Sequence, residues 1–219
     1  IREMSGIEVK IGDENHKKKT TIEEWGLSLE AIEGLGERLK QFWRYYGQDT
    51  RSRTRDTSGY GRAYVSGLLR LEARWNMAHI GRQTGGSEQN MQHFMSNSPW
   101  SGRAVIERMQ EAVTQRGDWT GGVLILDESG DEKYGDAGAG VAHQYNGRHK
   151  RVERSQVGVF LAYAQGNSWS WIDGELFLSE KWFRADYAPQ RHQADVPAER
   201  TYQPKAALGW QMIQRAQTA

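Results

Sequence analysis

Hydrophobic positions recur at steps of three and four through the first half of the chain. Leu27, Leu29, Ile32, Leu35 and Leu39 lead into Phe42 and Trp43, the spacing of one or two amphipathic helices interrupted near Gly34 or Gly36. Thr21 with Glu24 three places on has the form of a capping box ahead of them. Tyr64, Leu68, Leu71, Trp75 and Ala78 keep the same period over 64–80, and Val105, Ile106, Met109 and Val113 repeat it over 103–115. Between them a short helical stretch around 90–95 closes at a break near Pro99.

After Gly117 the period changes. Residues 123–126 form a short apolar run of strand formers, and 139–144, 155–164 and 167–179 read as further extended segments. Their close spacing and short turns predict antiparallel pairing. Helical character returns at 180–183 and again at 204–216. Residues 1–20 show no sustained period and read as a loose arm. The chain is therefore expected to be α+β: an arm over 1–20, a helical and locally basic region over 21–117, and a small sheet with a terminal helix over 118–219.

Composition narrows the class. The chain has 219 residues, 37% of them hydrophobic, and nine tryptophans, which is the make-up of a globular protein and not of a disordered one. It has no cysteine, which excludes disulfides and thiolate metal sites and fits a reducing compartment. No apolar run is long enough to span a bilayer, and no secretory leader pattern opens the chain, so a cytoplasmic location is expected. The formal charge of +1 hides an asymmetry. From Arg38 to Arg82 there are ten Lys or Arg against three acids, Asp49, Asp56 and Glu72. Such a stretch can neutralise phosphates or can be a solvated helical face. Arg51, Arg53 and Arg55, in a glycine-marked polar loop, could likewise grip a DNA backbone or keep a loop soluble.

Asp127 is the candidate for chemistry. It directly follows the apolar run and precedes a polar turn, so a sheet would aim its carboxylate while a loop leaves it open to solvent. One carboxylate alone makes no metal site, and an ordinary acidic turn is the alternative. His79, His93, His143 and His149 are too scattered for a zinc motif, GDAGAG at 135–140 leads into a strand and not a helix, and Ser129 lies outside any GxSxG.

Several blocks resemble a known family. AYVSGLL at 63–69, ARWNMAHIG at 73–81, QHFMSNSPW at 92–100, VLILDESGDEKYG at 123–135, GVAHQYNG at 140–147 and QVGVFLAYA at 156–164 are similar to blocks of bacterial insertion-sequence transposases with an acidic, DDE-type triad and a ribonuclease H-like core. The resemblance implies metal-dependent cleavage of DNA at transposon ends and transfer of the freed 3′-hydroxyl to a target. It implies Mg²⁺ or Mn²⁺ as cofactor, double-stranded DNA as partner, association with itself or with a full-length transposase, and a place in the bacterial cytoplasm at the nucleoid. Asp127 takes the position of the first catalytic acid. Glu128 would alternate away to support the turn or a neighbouring helix.

Lys133 falls where the family has a lysine, read either as a phosphate or carboxylate contact or as a solvated loop residue. Arg148, Lys150 and Arg151, in a basic linker, join the candidate DNA contacts, and Asp173 is a weaker candidate metal ligand. On this mapping the helix over 204–216 is the first core helix of the half-built ribonuclease H-like sheet. The second and third acids would then lie beyond Ala219, so the chain is expected to be C-terminally truncated and inactive alone. A non-catalytic DNA-binding or regulatory remnant and a structural α+β protein remain as alternatives.

Overall fold

A computed structural model describes residues 30, 33–51, 55–70, 76–116 and 120–218. The arm over 1–20, the capping box at Thr21 and Glu24, and Arg53 of the basic loop lie outside these residues. The chain divides into two units, one running to Val105 and the other starting at Ile106.

The first unit is helical. α1 (Leu35–Tyr46) runs into a 3-10 turn at Gly47–Thr50. α2 (Ser58–Arg70), α3 (Met77–Thr84) and α4 (Glu88–Asn97) follow, and α5 (Gly102–Thr114) begins here and continues into the second unit. The single helix expected over 64–80 is instead two. Asn76 is extended, and its side chain accepts the His79 backbone N–H at 3.0 Å, so the residue starts a helix where the apolar period alone would continue one. Ser87 caps α4 in the same way, accepting from the Asn90 N–H. Ile80, Met91 and Phe94 form the buried centre. Gly67 lets α2 approach closely, since a Cβ there would lie 2.5 Å from Ile80 Cγ2.

The second unit carries the sheet. β3 (Arg151–Gln165) is its axis, and β1 (Val123–Glu132) runs antiparallel along one side from Val123 opposite Ala164 to Glu132 opposite Ser155. β2 (Ala142–Asn146) and β4 (Ser168–Phe177) pair antiparallel with successive parts of the other side. Short 3-10 turns and α6 (Ala188–Gln193) lead to α7 (Lys205–Thr218). Leu208 and Met212 of α7 pack against Val157, Val159, Leu161 and Ile172, closing a core on one face of the sheet. Helices followed by an antiparallel sheet and a terminal helix match the expected α+β order.

Two local expectations change. β1 does not stop before Asp127 but continues to Glu132, because the long β3 offers hydrogen-bonding partners as far as Ser155 and pairing overrides the turn-forming residues. Gly130 within it has no side chain, and a Cβ there would meet Asn146 Oδ1 at 2.7 Å. β2 begins at Ala142 and not 139, because Gly140 turns the chain with φ +76° while a Cβ would stand 2.7 Å from the Phe177 carbonyl oxygen. Among the described residues no helix is long and apolar enough to cross a membrane.

Candidate functional site

Side chains alternate along a strand, so the register assigns each acid to a face. Asp127 lies opposite Phe160, Ser129 opposite Gly158 and Asp131 opposite Gln156, whereas Glu128 lies opposite Val159 and Asp173 opposite Leu161. Val159 and Leu161 belong to the α7 core. Glu128, Asp173 and Glu175 therefore face α7, and Asp127 faces away from it. On the α7 side every one of these acids meets a cation. Lys205 Nζ lies 2.5 Å from Glu128, Arg215 Nε donates to Asp173 at 2.8 Å, and Arg215 and Arg200 each reach Glu175 at 3.3 Å.

Asp127 is different. It is exposed and in mid-strand, and its Oδ1 accepts the Glu128 backbone N–H at 2.8 Å. No ion pair engages it among the described residues. Its neighbours on this face are apolar: Val123 and Ile125 are 60% and 47% exposed, and Phe160 and Trp171 meet with ring centroids 5.5 Å apart. Ser129, two residues along, lines a cavity of about 720 Å³ walled by Ile106, Met109, Phe160, Trp171 and Leu176, and Asp127 stands outside it.

One group of three potential ligands occurs among the described residues, Glu132, His149 and Glu153, with ligand atoms within 4.8 Å of one another. Asp127 is not in it. Five residues of strand, about 16 Å, separate it from Glu132, and the odd offset turns the two to opposite faces. Glu153 is buried and accepts from Asn146 Nδ2 at 2.7 Å, from Arg151 Nε and, in its contact with His149 Nδ1, at 2.6 Å. Burial pushes its carboxyl up, but the hydrogen bonds from Arg151, His149 and Asn146 outweigh that and hold it below the usual carboxylate range. The hydrogen bond to Glu153 in turn raises the Arg151 guanidinium. Arg151 also reaches Glu132 at 3.4 Å, so a guanidinium already bridges the two carboxylates that a divalent ion would need. The cluster is a candidate metal group by distance and an ion-pair network by its contacts.

A family model described as DDE superfamily endonuclease matches residues 44–219. The chain belongs to that superfamily. No curated protein and no solved structure matches it. The match takes in most of the helical unit and the whole sheet, so the superfamily assignment rests on both.

Within this DDE chain the remaining candidates are dispersed. Lys133 pairs with Asp131 at 2.6 Å. The basic linker is the tight turn between β2 and β3, with Lys150 at φ 53°; Arg148 and Lys150 are exposed at its tip and have no ion pair among the described residues, while Arg151 serves Glu153. Arg51 lies 3.6 Å from Asp56, and Arg55 is exposed. Asp173 is buried against Arg215, on the opposite face from Asp127. The sequence pattern does not single out Glu132 and Glu153, and it leaves His149 as one of four scattered histidines. The only signal was the Arg151-x-Glu153 spacing, which places the two on one face of a strand.

Proposed function

We propose that this chain is a DDE-type DNA transposase of the insertion-sequence kind, with Asp127 as the first acid of its triad. The observation that carries the reading is the Asp127 carboxylate, exposed on a paired strand with no cation among the described residues to neutralise it. A carboxylate so placed fits one position in the shell of a hydrated Mg²⁺ or Mn²⁺. A pair of ions needs more oxygen ligands than one aspartate supplies, and no group of three ligands among the described residues includes Asp127, so a two-ion centre does not fit these residues alone. Asp127 would supply one oxygen ligand to such an ion, whose chemistry would be the activation of an attacking oxygen. The chain's own contribution is a carboxylate held in fixed orientation by the pairing of β1 with β3.

In this reading 21–117 contacts DNA and 118–219 is the catalytic part, acting on transposon ends with a second copy or a longer transposase at the bacterial nucleoid. Arg148 and Lys150 project from a tight turn without an ion pair among the described residues and contact backbone phosphates first. Lys133 and Arg151, each already serving a carboxylate, contribute less, and Arg51, Arg53 and Arg55 add contacts from the helical part. A second reading, a DNA-binding chain without chemistry, is favoured by the isolation of Asp127 from other acids.

Excision of a marked element in cells carrying the gene for this chain separates the two. The transposase reading expects excision that Asp127→Asn abolishes. Excision untouched by that substitution would sink it. Absence of excision from the unaltered gene, together with duplex binding that weakens steeply with salt, establishes the second reading.

A further inference from the structure

The cavity of about 720 Å³ beside Asp127 lies wholly within the second unit, and its walls differ in kind from the ion pairs elsewhere on the sheet. Its volume falls in the roughly 300–1,000 Å³ range of small-molecule sites. α5 supplies one wall with Ile106 and Met109, and the sheet face that carries Asp127 supplies the floor. No Lys or Arg is among its walls in the described residues, so it does not suit a phosphate. Its occupant has an apolar body.

The floor is an aromatic ring laid down on the sheet. Side chains on a strand ordinarily stand off it. Phe160 instead leans along β3 over Gly158, where a Cβ would meet its Cε2 and Cζ at 2.6 and 2.6 Å, and it also covers Gly174 on β4, where a Cβ would meet its Cδ1 at 3.0 Å. Two strand glycines let one ring lie low over both positions. Trp171 stands against it, with ring centroids 5.5 Å apart and planes at 59°, and Met109 approaches from α5. A ring floor edged by an indole and a polarisable thioether suits a planar heteroaromatic ligand.

Polar groups complete the walls. Ser129 offers a hydroxyl, Asp131 an exposed carboxylate already paired with Lys133 at 2.6 Å, and Gln156 commits Nε2 to the Ala139 carbonyl oxygen at 2.7 Å, which leaves Oε1 as an acceptor. Asp173 and Glu175 also border the cavity, but Arg215 and Arg200 engage their carboxylates. These groups accept more hydrogen bonds than they donate, and so complement a ring edge that bears an amino group. Adenine and cytosine present one where thymine presents an oxygen. Ser129 is two residues from Asp127 on the same strand face, about 6.6 Å along the strand, so a base in the cavity leaves its sugar and phosphate beside that carboxylate.

We infer that the cavity walled by Phe160, Trp171 and Met109 binds an unpaired, amino-bearing base of a DNA strand next to Asp127. The strand as the source of the base rests on the transposase reading, whereas the fit of the base does not. Taking a base out of a duplex costs stacking and pairing, least where it is already single-stranded, and stacking on aromatic side chains offsets that cost.

The test uses the whole chain with ¹³C-labelled methionine methyls and ¹⁵N-labelled indoles. Met109→Leu and Trp171→Phe assign the two resonances of the cavity, and the remaining ones report that the fold is kept. Three probes are titrated in: a duplex with one unpaired adenine overhanging, the same duplex with blunt ends, and adenosine alone. Met109 and Trp171 are expected to shift saturably with the overhang and not with the blunt duplex, whether or not adenosine alone binds tightly enough to respond. Phe160→Leu is expected to weaken the titration by roughly tenfold, the loss of a stacking partner. Ser129→Ala, at an exposed position, should weaken it by roughly fivefold, the loss of one neutral hydrogen bond.

A response to adenosine with none to either duplex keeps the base site but overturns the strand as its source, which is a failure of the transposase reading and not of the cavity. Overhang and blunt duplex acting alike would mean backbone contact and overturn the base site. A titration unchanged in both variants overturns it as well. So do resonances that stay still with all three probes, or that move with protein concentration alone because a second copy fills the cavity.

Discussion

Adjacent carboxylates on the two faces of the sheet meet opposite surroundings. On the face covered by α7, Glu128, Asp173 and Glu175 each meet Lys205, Arg200 or Arg215. On the other face Asp131 pairs with Lys133, whereas Asp127 has no ion pair among the described residues and accepts the N–H of the next residue, among exposed Val123, Ile125 and Trp171. Asp173 and Glu175 are covered and structural: the low-dielectric interior would make an unpaired carboxylate there costly, so the fold supplies its own cations, while Glu128, itself exposed, pairs with a half-buried Lys205. The open acid costs nothing to leave unpaired in water, and so remains available to a cation from outside. Adjacent residues, Asp127 and Glu128, point to different faces because strand side chains alternate, and of the two only Glu128 meets a cation among the described residues.

The largest expected effect tests the covered face. Arg215→Ala strips the cation from Asp173, whose side chain is fully buried, and is expected to lower unfolding stability in urea by about 3–5 kcal/mol. A loss no greater than that of a surface substitution would break the contrast. Next comes the acid limb. Glu153 titrates below its ordinary value of about 4.5 in the folded chain, so the unfolded chain takes up the proton first. Its stabilising contribution is complete above that value, shrinks as pH falls and is gone below the folded pKa. Glu153→Gln should flatten this part of the stability profile, and an unchanged slope would contradict a stabilising role for the network.

Smaller still, Lys205→Ala breaks a partly exposed pair with Glu128 and should cost less than about 1 kcal/mol, with the difference fading at high salt. Asp127→Asn should change stability by no more than about 0.5 kcal/mol in either direction. A clear gain or loss there would mean that the open face is structural too.

Much of this contrast was legible before the structure. The apolar run beginning at Val123, the antiparallel order and the turning of Glu128 away from the side of Asp127 all follow from period and alternation. What was hidden depended on pairing over distance. Asp127 looked like a strand end because Glu128 to Glu132 are poor strand formers, and only the length of β3 extends the strand past them. Arg215 lies 42 residues from Asp173, so no local pattern joins them. His149 and Glu132 meet Glu153 only once the β2–β3 turn folds back and β1 pairs alongside. The helix break at Asn76 was in principle readable as an N-cap, but the apolar period around it was stronger.

The most direct measurement is paramagnetic broadening by Mn²⁺ of the backbone resonances of the labelled chain. Broadening is expected to centre on Asp127, Glu128 and Ser129 and to be lost in Asp127→Asn, with Glu132, His149 and Glu153 little affected because Arg151 already occupies their charge. Broadening centred on that cluster instead, or unchanged by Asp127→Asn, would contradict that expectation.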